Sequence, residues 1–237
     1  MPSTLPTHPL AVLPLKVWRP RWFDGVALAA GACAPDTAYA FAGIGVTIRS
    51  HTLLGSLWWS LPAALFTAWL IRRGAPTVAA HLPGFLREYG VLGRVRHAWW
   101  VTVLSALLGV ASHLLWDLVT HPGPVAAWWQ VRLVSDASSL VLMPVFVWYC
   151  GRRHLLRHWH GPAPSVAVRA PLFWGVATAV TATGFLTTWL LGYHGPHVLG
   201  VRIITSVTVG LLCAAAAVQW SRVAGDRPAH PAPVPRG

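Results

Sequence analysis

Apolar runs of about 20 residues constrain this chain more than any other feature, because that length carries an α-helix across the roughly 30 Å hydrocarbon core of a bilayer. They fall at about residues 53–71, 98–119, 133–150, 170–192 and 198–220, the last interrupted by Arg202. Backbone in lipid must satisfy its own hydrogen bonds, and runs this long do so as helices. Composition agrees: hydrophobic residues make up 55% and charged residues 10% of the 237, where soluble domains carry about 25% charged residues. The expected fold is all-α, a polytopic transmembrane helical bundle with about five spanning helices.

Two shorter apolar pieces, near 9–17 and 25–35, cannot span and predict an N-terminal short-helix hairpin, re-entrant or interfacial. Its turn would hold Lys16, Arg19 and Arg21, whose long side chains must snorkel if the turn lies in apolar surroundings. The expected organisation is a site-bearing region over 1–150, two further spanning helices over 151–220, and a Pro-rich, disordered cytoplasmic tail over 221–237. A signal peptide or lipoprotein box is weakly echoed around residues 30–35, but residues 1–14 lack the basic start such signals use. The chain is expected to be used whole.

The formal charge of +12 suggests polyanion binding in a soluble protein. Here the arginines punctuate apolar segments without forming a stripe, so no nucleic-acid partner is expected and the charge reads as topology. Residues 72–97 carry Arg72, Arg73, Arg87, Arg94 and Arg96 against Glu88, and 151–169 carry Arg152, Arg153, Arg157 and Arg169. The positive-inside rule places these loops and the C-terminus in the cytoplasm of a multi-pass inner-membrane protein. Cys33, Cys150 and Cys213 have neither disulfide-framework nor thiolate-zinc spacing. Trp58, Trp59, Trp99, Trp100, Trp128, Trp129 and Trp148 suit an interfacial belt, and His154, His158 and His160 suit headgroup contact. Glycine motifs for nucleotides or serine hydrolases are absent.

Acidic residues number six, and Asp117 stands out among them. It lies inside the run 101–119, where an ionised carboxylate needs a partner. His113 and His121 flank it at four-residue spacing, drifting only about 40° per step on a helix, so all three share one stripe. That spacing lets one helix present several ligands to one metal ion. It also suits a polar contact between helices, and both readings stand at this level. His51 begins the antiparallel 53–71 helix, which brings it to the same end as Asp117. A hairpin over the two short pieces would return His8 and Asp36 to that level. Asp136 is expected as an N-cap of the 133–150 helix, and His194 and His197 as solvated turn residues.

Thr7-His8-Pro9, Ala34-Pro35-Asp36, Ser50-His51-Thr52-Leu53-Leu54-Gly55, Ser112-His113-Leu114-Leu115-Trp116-Asp117 and Thr120-His121 together resemble the bacterial membrane family called domain of unknown function 4184. The resemblance covers about residues 1–150. That family is similar in motif order to inner-membrane metal-dependent hydrolases and, more distantly, to zinc-dependent phospholipase C. The resemblance implies a metal site of His8, Asp36, His51, His113, Asp117 and His121, with Ala38 where relatives place a second acid. The expected activity is hydrolysis of a phospholipid or lipid-linked phosphate by a divalent metal, zinc first, with Asp36 as general base and membrane lipids as partners. Two alternatives remain: proton or cation translocation through Asp117 and its histidines, or a structural metal in a scaffold.

Overall fold

The computed structural model describes residues 7–120, 129–192 and 195–225. Element order is α1 (Thr7–Trp18), α2 (Gly25–Cys33), a 3-10 helix (Pro35–Phe41), α3 (Leu53–Ala80), a second 3-10 helix (Gly84–Gly93), α4 (Trp99–Thr120), α5 (Trp129–Arg152), α6 (Leu155–His160), α7 (Ala170–Leu190) and α8 (Pro196–Gly225). No strand occurs among the described residues. The helical bundle expected from the sequence is the fold.

Among the described residues, four helices are long and apolar enough to cross a membrane: Leu53–Ala80, Trp99–Val119, Ala170–Leu190 and Pro196–Val223. The expected fifth, 133–150, falls within α5, whose described apolar part is Val141–Arg152. Helix α5 begins at Trp129, so Asp136 lies well inside it and is not the N-cap expected of it. Helix α8 continues through Gly225, and the expected tail from 226 onward lies outside the described residues. Large apolar side chains such as Phe66, Leu104, Trp174 and Leu186 stay exposed on the bundle surface, as lipid-facing positions would.

The hairpin forms as expected, and its physical basis is visible at both ends. At its turn Lys16 is buried rather than snorkelling, and its Nζ donates to the carbonyls of Pro20 at 2.5 Å and Phe23 at 2.9 Å. Burial pushes the Lys16 amine down to about 8, against the pull of Asp24. Asp24, fully buried, caps α2 by accepting from the Ala27 N–H at 3.2 Å. Its other oxygen accepts from Thr102 at 2.7 Å and pairs with Arg72. One carboxylate therefore ties α2 to α3 and α4. Burial opposes its charge, but these donors more than offset that and hold the carboxyl below its ordinary value.

Helices α2 and α4 cross with almost no side chain between them. A Cβ on Gly31 would stand 2.2 Å from the Ala106 carbonyl oxygen, and one on Gly109 2.3 Å from that of Leu28. Small residues permit this approach where apolar lipid supplies no drive for helix association. Ala27 and Ala30 of α2, Ala64 and Ala68 of α3 and Ala106 of α4 form one core around this crossing. A second core, Phe173, Ala177, Ala214 and Val218, joins α7 to α8. His81 stacks on Phe173, with ring centroids 4.1 Å apart, and accepts from the Arg169 N–H at 3.0 Å.

The basic connections lie together. His154 sits 3.1 Å from Glu88, and Arg94 reaches the Pro162 carbonyl, which joins the 72–97 and 151–169 segments. His154 thus faces a carboxylate within the protein. His160, close to Lys16 and His97, is pushed down to about 4, first by burial and then by those neighbours. Chain direction puts this end opposite the starts of α1 and α3 and the end of α4.

Candidate metal centre

At the far end of the bundle, four separate pieces of chain each deliver one or two side chains to a common point. His8 comes from the first turn of α1. Asp36 follows Pro35 in the first turn of the 3-10 helix, where the ring of Pro35 presets the backbone. Thr37 Oγ1 donates to the Ala34 carbonyl at 2.6 Å and accepts from Trp59 Nε1 at 3.2 Å. Trp59 therefore braces the segment bearing Asp36 and is more than a belt residue.

His51 stands one residue before the N-cap of α3. Thr52 caps that helix by accepting from the Gly55 N–H at 3.0 Å. A Cβ on Gly55 would meet the Arg49 carbonyl at 1.9 Å, so only glycine allows the chain to fold back there. A π-helical turn, Ser56–Ser60, follows directly. Pro62, lacking an N–H, cannot close the normal ladder at this place. These devices aim the His51 ring inward from the mouth of the helix. His113 and Asp117 share the last turns of α4, with His113 Nε2 3.2 Å from Asp117 Oδ2.

The four inward atoms are His51 Nε2, His113 Nε2, Asp36 Oδ1 and Asp117 Oδ2. His51 lies 3.2 Å from His113, 3.3 Å from Asp36 and 3.4 Å from Asp117. His113 lies 3.6 Å from Asp36 and 3.2 Å from Asp117. Zinc bonds of about 2.0–2.1 Å in a tetrahedron require ligand atoms roughly 3.3–3.4 Å apart, and these five separations lie close to that spacing. His8 Nε2 faces the other oxygens of the same carboxylates, 3.6 Å from Asp117 Oδ1 and 4.0 Å from Asp36 Oδ2. The groups His8, His113, Asp117 and Asp36, His51, His113 are each compact enough to hold a metal ion.

Outer contacts set the tautomers. His113 Nδ1 lies 2.7 Å from the Ala32 carbonyl, which can only accept, so the proton sits on Nδ1 and the Nε2 lone pair points into the cluster. His51 Nδ1 contacts Ser50 Oγ at 3.1 Å. Such partners orient imidazole ligands and raise their basicity. The glycine seam between α2 and α4 brings the Ala32 carbonyl within reach. His8 stacks on His113, with centroids 3.8 Å apart, which fixes both ring planes. Burial disfavours a charged His51, but hydrogen bonds and charge from Asp117 and Asp36 outweigh it and raise the imidazole to about 9 without an ion.

Five of the six residues expected from the sequence thus converge, and His121 lies outside the described residues. His194 does too, whereas His197 packs edge-on against Tyr39 at 4.9 Å and is not a simple solvated turn residue. Tyr39, not foreseen, places its ring 5.7 Å from that of His51. Burial first, then Asp36 and Asp117, raise its phenol above the ordinary value, so it stays a proton donor at neutral pH. Its position three residues after Asp36 is set by a 3-10 helix that periodicity does not reveal. Ser50 and the Ala32 carbonyl were equally illegible, the first as an ordinary serine and the second as backbone.

A helical bundle with spans long enough for a membrane and His/Asp groups that could hold a metal ion is the class these observations define. The chain belongs to the family described as Domain of unknown function (DUF4184), whose model matches residues 1–216. That match runs past residue 150, where the motif resemblance ends, so α7 and most of α8 belong to the family's shared sequence. No curated protein and no solved structure matches the chain.

Proposed function

We propose that this protein is a membrane-embedded, metal-dependent hydrolase acting on a phospholipid or lipid-linked phosphate at the membrane surface. The observation that carries the proposal is the group of four donor atoms, five of whose six pairs stand 3.2 to 3.6 Å apart, at one end of helices long enough to span a bilayer. A divalent ion there, zinc first, supplies Lewis acidity that makes water nucleophilic near neutral pH and polarises a phosphoryl oxygen.

His51, His113 and Asp117 would hold the ion and leave a fourth position for water, with Asp36 beside that position and His8 orienting both carboxylates from behind. Asp36 is the proposed general base, since one oxygen faces His51 and the other remains turned toward His8. Its partial exposure, with Asp117 and His51, leaves the cluster open on one side. Tyr39, kept protonated beside His51, would donate a proton toward a departing oxygen. The basic loops at the opposite end support a cytoplasmic placement of that end and of the C-terminus; on that reading the cluster faces the outer surface of the inner membrane.

Elemental analysis of purified wild type beside folded His51→Ala and Asp117→Ala tests the centre. Stoichiometric zinc, manganese or iron in wild type alone, with phosphate release from lipid phosphoesters lost in both variants, is the expected result. Equal metal content and equal lipid turnover in all three would refute the proposal.

A further inference from the structure

Arg202 takes no part in the cluster, yet it is the most constrained basic residue of α8. It is 5% exposed and lies within the second turn of an otherwise apolar helix. Its Nη2 donates to the Ala42 carbonyl, and its Nη1 lies 3.5 Å from that of Gly192. Among the described residues its Nε has no hydrogen-bond partner and no acidic side chain pairs with it. A guanidinium keeps its charge at any physiological pH and carries more donors than two carbonyls can use. A buried charge without a counter-ion is costly, and only an anion removes that cost.

Beside Arg202 opens a cavity of about 530 Å³ between the end of α7 and the start of α8. Phe185, Trp189, Leu199 and Ile203 form its apolar wall, and Thr188 adds one hydroxyl. An anion that fits both features carries a hydrocarbon tail. We propose that this cavity binds one membrane phospholipid, with its phosphate on Arg202 and an acyl chain between α7 and α8. The charge complementarity and the apolar wall together select a lipid over a free anion or an uncharged hydrocarbon.

The site lies beside the metal centre. Arg202 grips Ala42, which directly follows the 3-10 helix that begins at Pro35 and carries Asp36. Six residues at about 2.0 Å rise separate the two by roughly 12 Å. The cavity is lined by none of the cluster residues, so the inference holds whether or not the cluster is hydrolytic.

Native mass spectrometry of the full chain in detergent, titrated with dioleoylphosphatidylglycerol, reads this binding directly. Four proteins are compared: wild type, Arg202→Gln, His51→Ala, and Ile203→Trp, which fills the cavity without changing the guanidinium. Removing a charged hydrogen-bond partner predicts a loss of about tenfold or more in lipid retention for Arg202→Gln, and Ile203→Trp should lose retention similarly. His51→Ala should keep the lipid while losing metal, which separates this inference from the hydrolase proposal. If Arg202→Gln fails to fold for want of its tie to Ala42, Ile203→Trp decides. Unchanged retention in folded Ile203→Trp, equal retention of phosphate-free dioleoylglycerol by wild type, or displacement of the lipid by millimolar inorganic phosphate would each overturn the proposal.

Discussion

Replacing Gly109 with alanine tests how the proposed metal centre depends on a contact one turn away. The new Cβ would stand 2.3 Å from the Leu28 carbonyl oxygen and 2.7 Å from the Ala32 nitrogen. Ordinary contact begins near 3.4 Å, so α2 and α4 must separate by about 1 Å, since backbone atoms cannot swing aside as a side-chain end can. Overpacking of this kind costs about 1–3 kcal/mol. The same displacement stretches the bond from His113 Nδ1 to the Ala32 carbonyl, now 2.7 Å, beyond hydrogen-bond range. Loss of such an outer partner lowers metal affinity by about 10–100-fold. Zinc titration with a competing chelator, alongside a melting curve in detergent, measures both effects. Gly175→Ala is the control, because a Cβ there meets nothing within 4 Å. Wild-type affinity and melting temperature in Gly109→Ala would refute the coupling between the helix seam and the ligand.

Asp24→Ala should destabilise the bundle by about 3–5 kcal/mol by stranding Arg72, with a further loss from the missing cap on α2; thermal melting checks it, and a shift no larger than that of a surface control refutes it. Because the Asp24 pKa is held below its unfolded value, its contribution is present above the ordinary carboxylate range and disappears as pH falls through the folded value. His51 behaves oppositely without metal. Its pKa rises from 6.5 to about 9, so its contribution is complete below about 6.5 and lost as pH climbs to about 9. Melting curves of chelator-treated wild type and His51→Gln between pH 6 and 9.5 should therefore converge at the alkaline end. Metal competes with that proton, so zinc affinity should strengthen over the same interval, and a flat profile would count against His51 as a ligand. Thr52→Ala should cost about 1 kcal/mol as a lost N-cap and weaken metal binding by loosening the approach of His51.

Periodicity and length carried the helical class, because 20-residue apolar runs have few alternatives in lipid. They also carried the link between His113 and Asp117, since four-residue spacing is local to one helix and any straight helix delivers it. His51 followed from antiparallel chain direction, and His8 with Asp36 from the returning hairpin. These are inferences of level along a helix axis, which sequence supports. They contain no distance across the axis.

Those distances are tertiary. Whether imidazoles and carboxylates stand 3.3 Å or 8 Å apart depends on how closely α2 and α4 approach, and this rests on Gly31 and Gly109 meeting backbone rather than side chains. Tyr39, Ser50 and the Ala32 carbonyl joined the site because separate segments were folded onto it. The sequence likewise left Lys16 to snorkel, while the folded turn supplied two carbonyls that let it stay buried. Arg202 read as a flaw in an apolar run, and only the packing of α8 against the chain after Asp36 showed it beside a cavity. Local chemistry and spacing determined which residues could act. Close contact between segments far apart in the chain decided which of them meet, because that contact depends on the shape of the whole bundle and not on any one stretch of sequence.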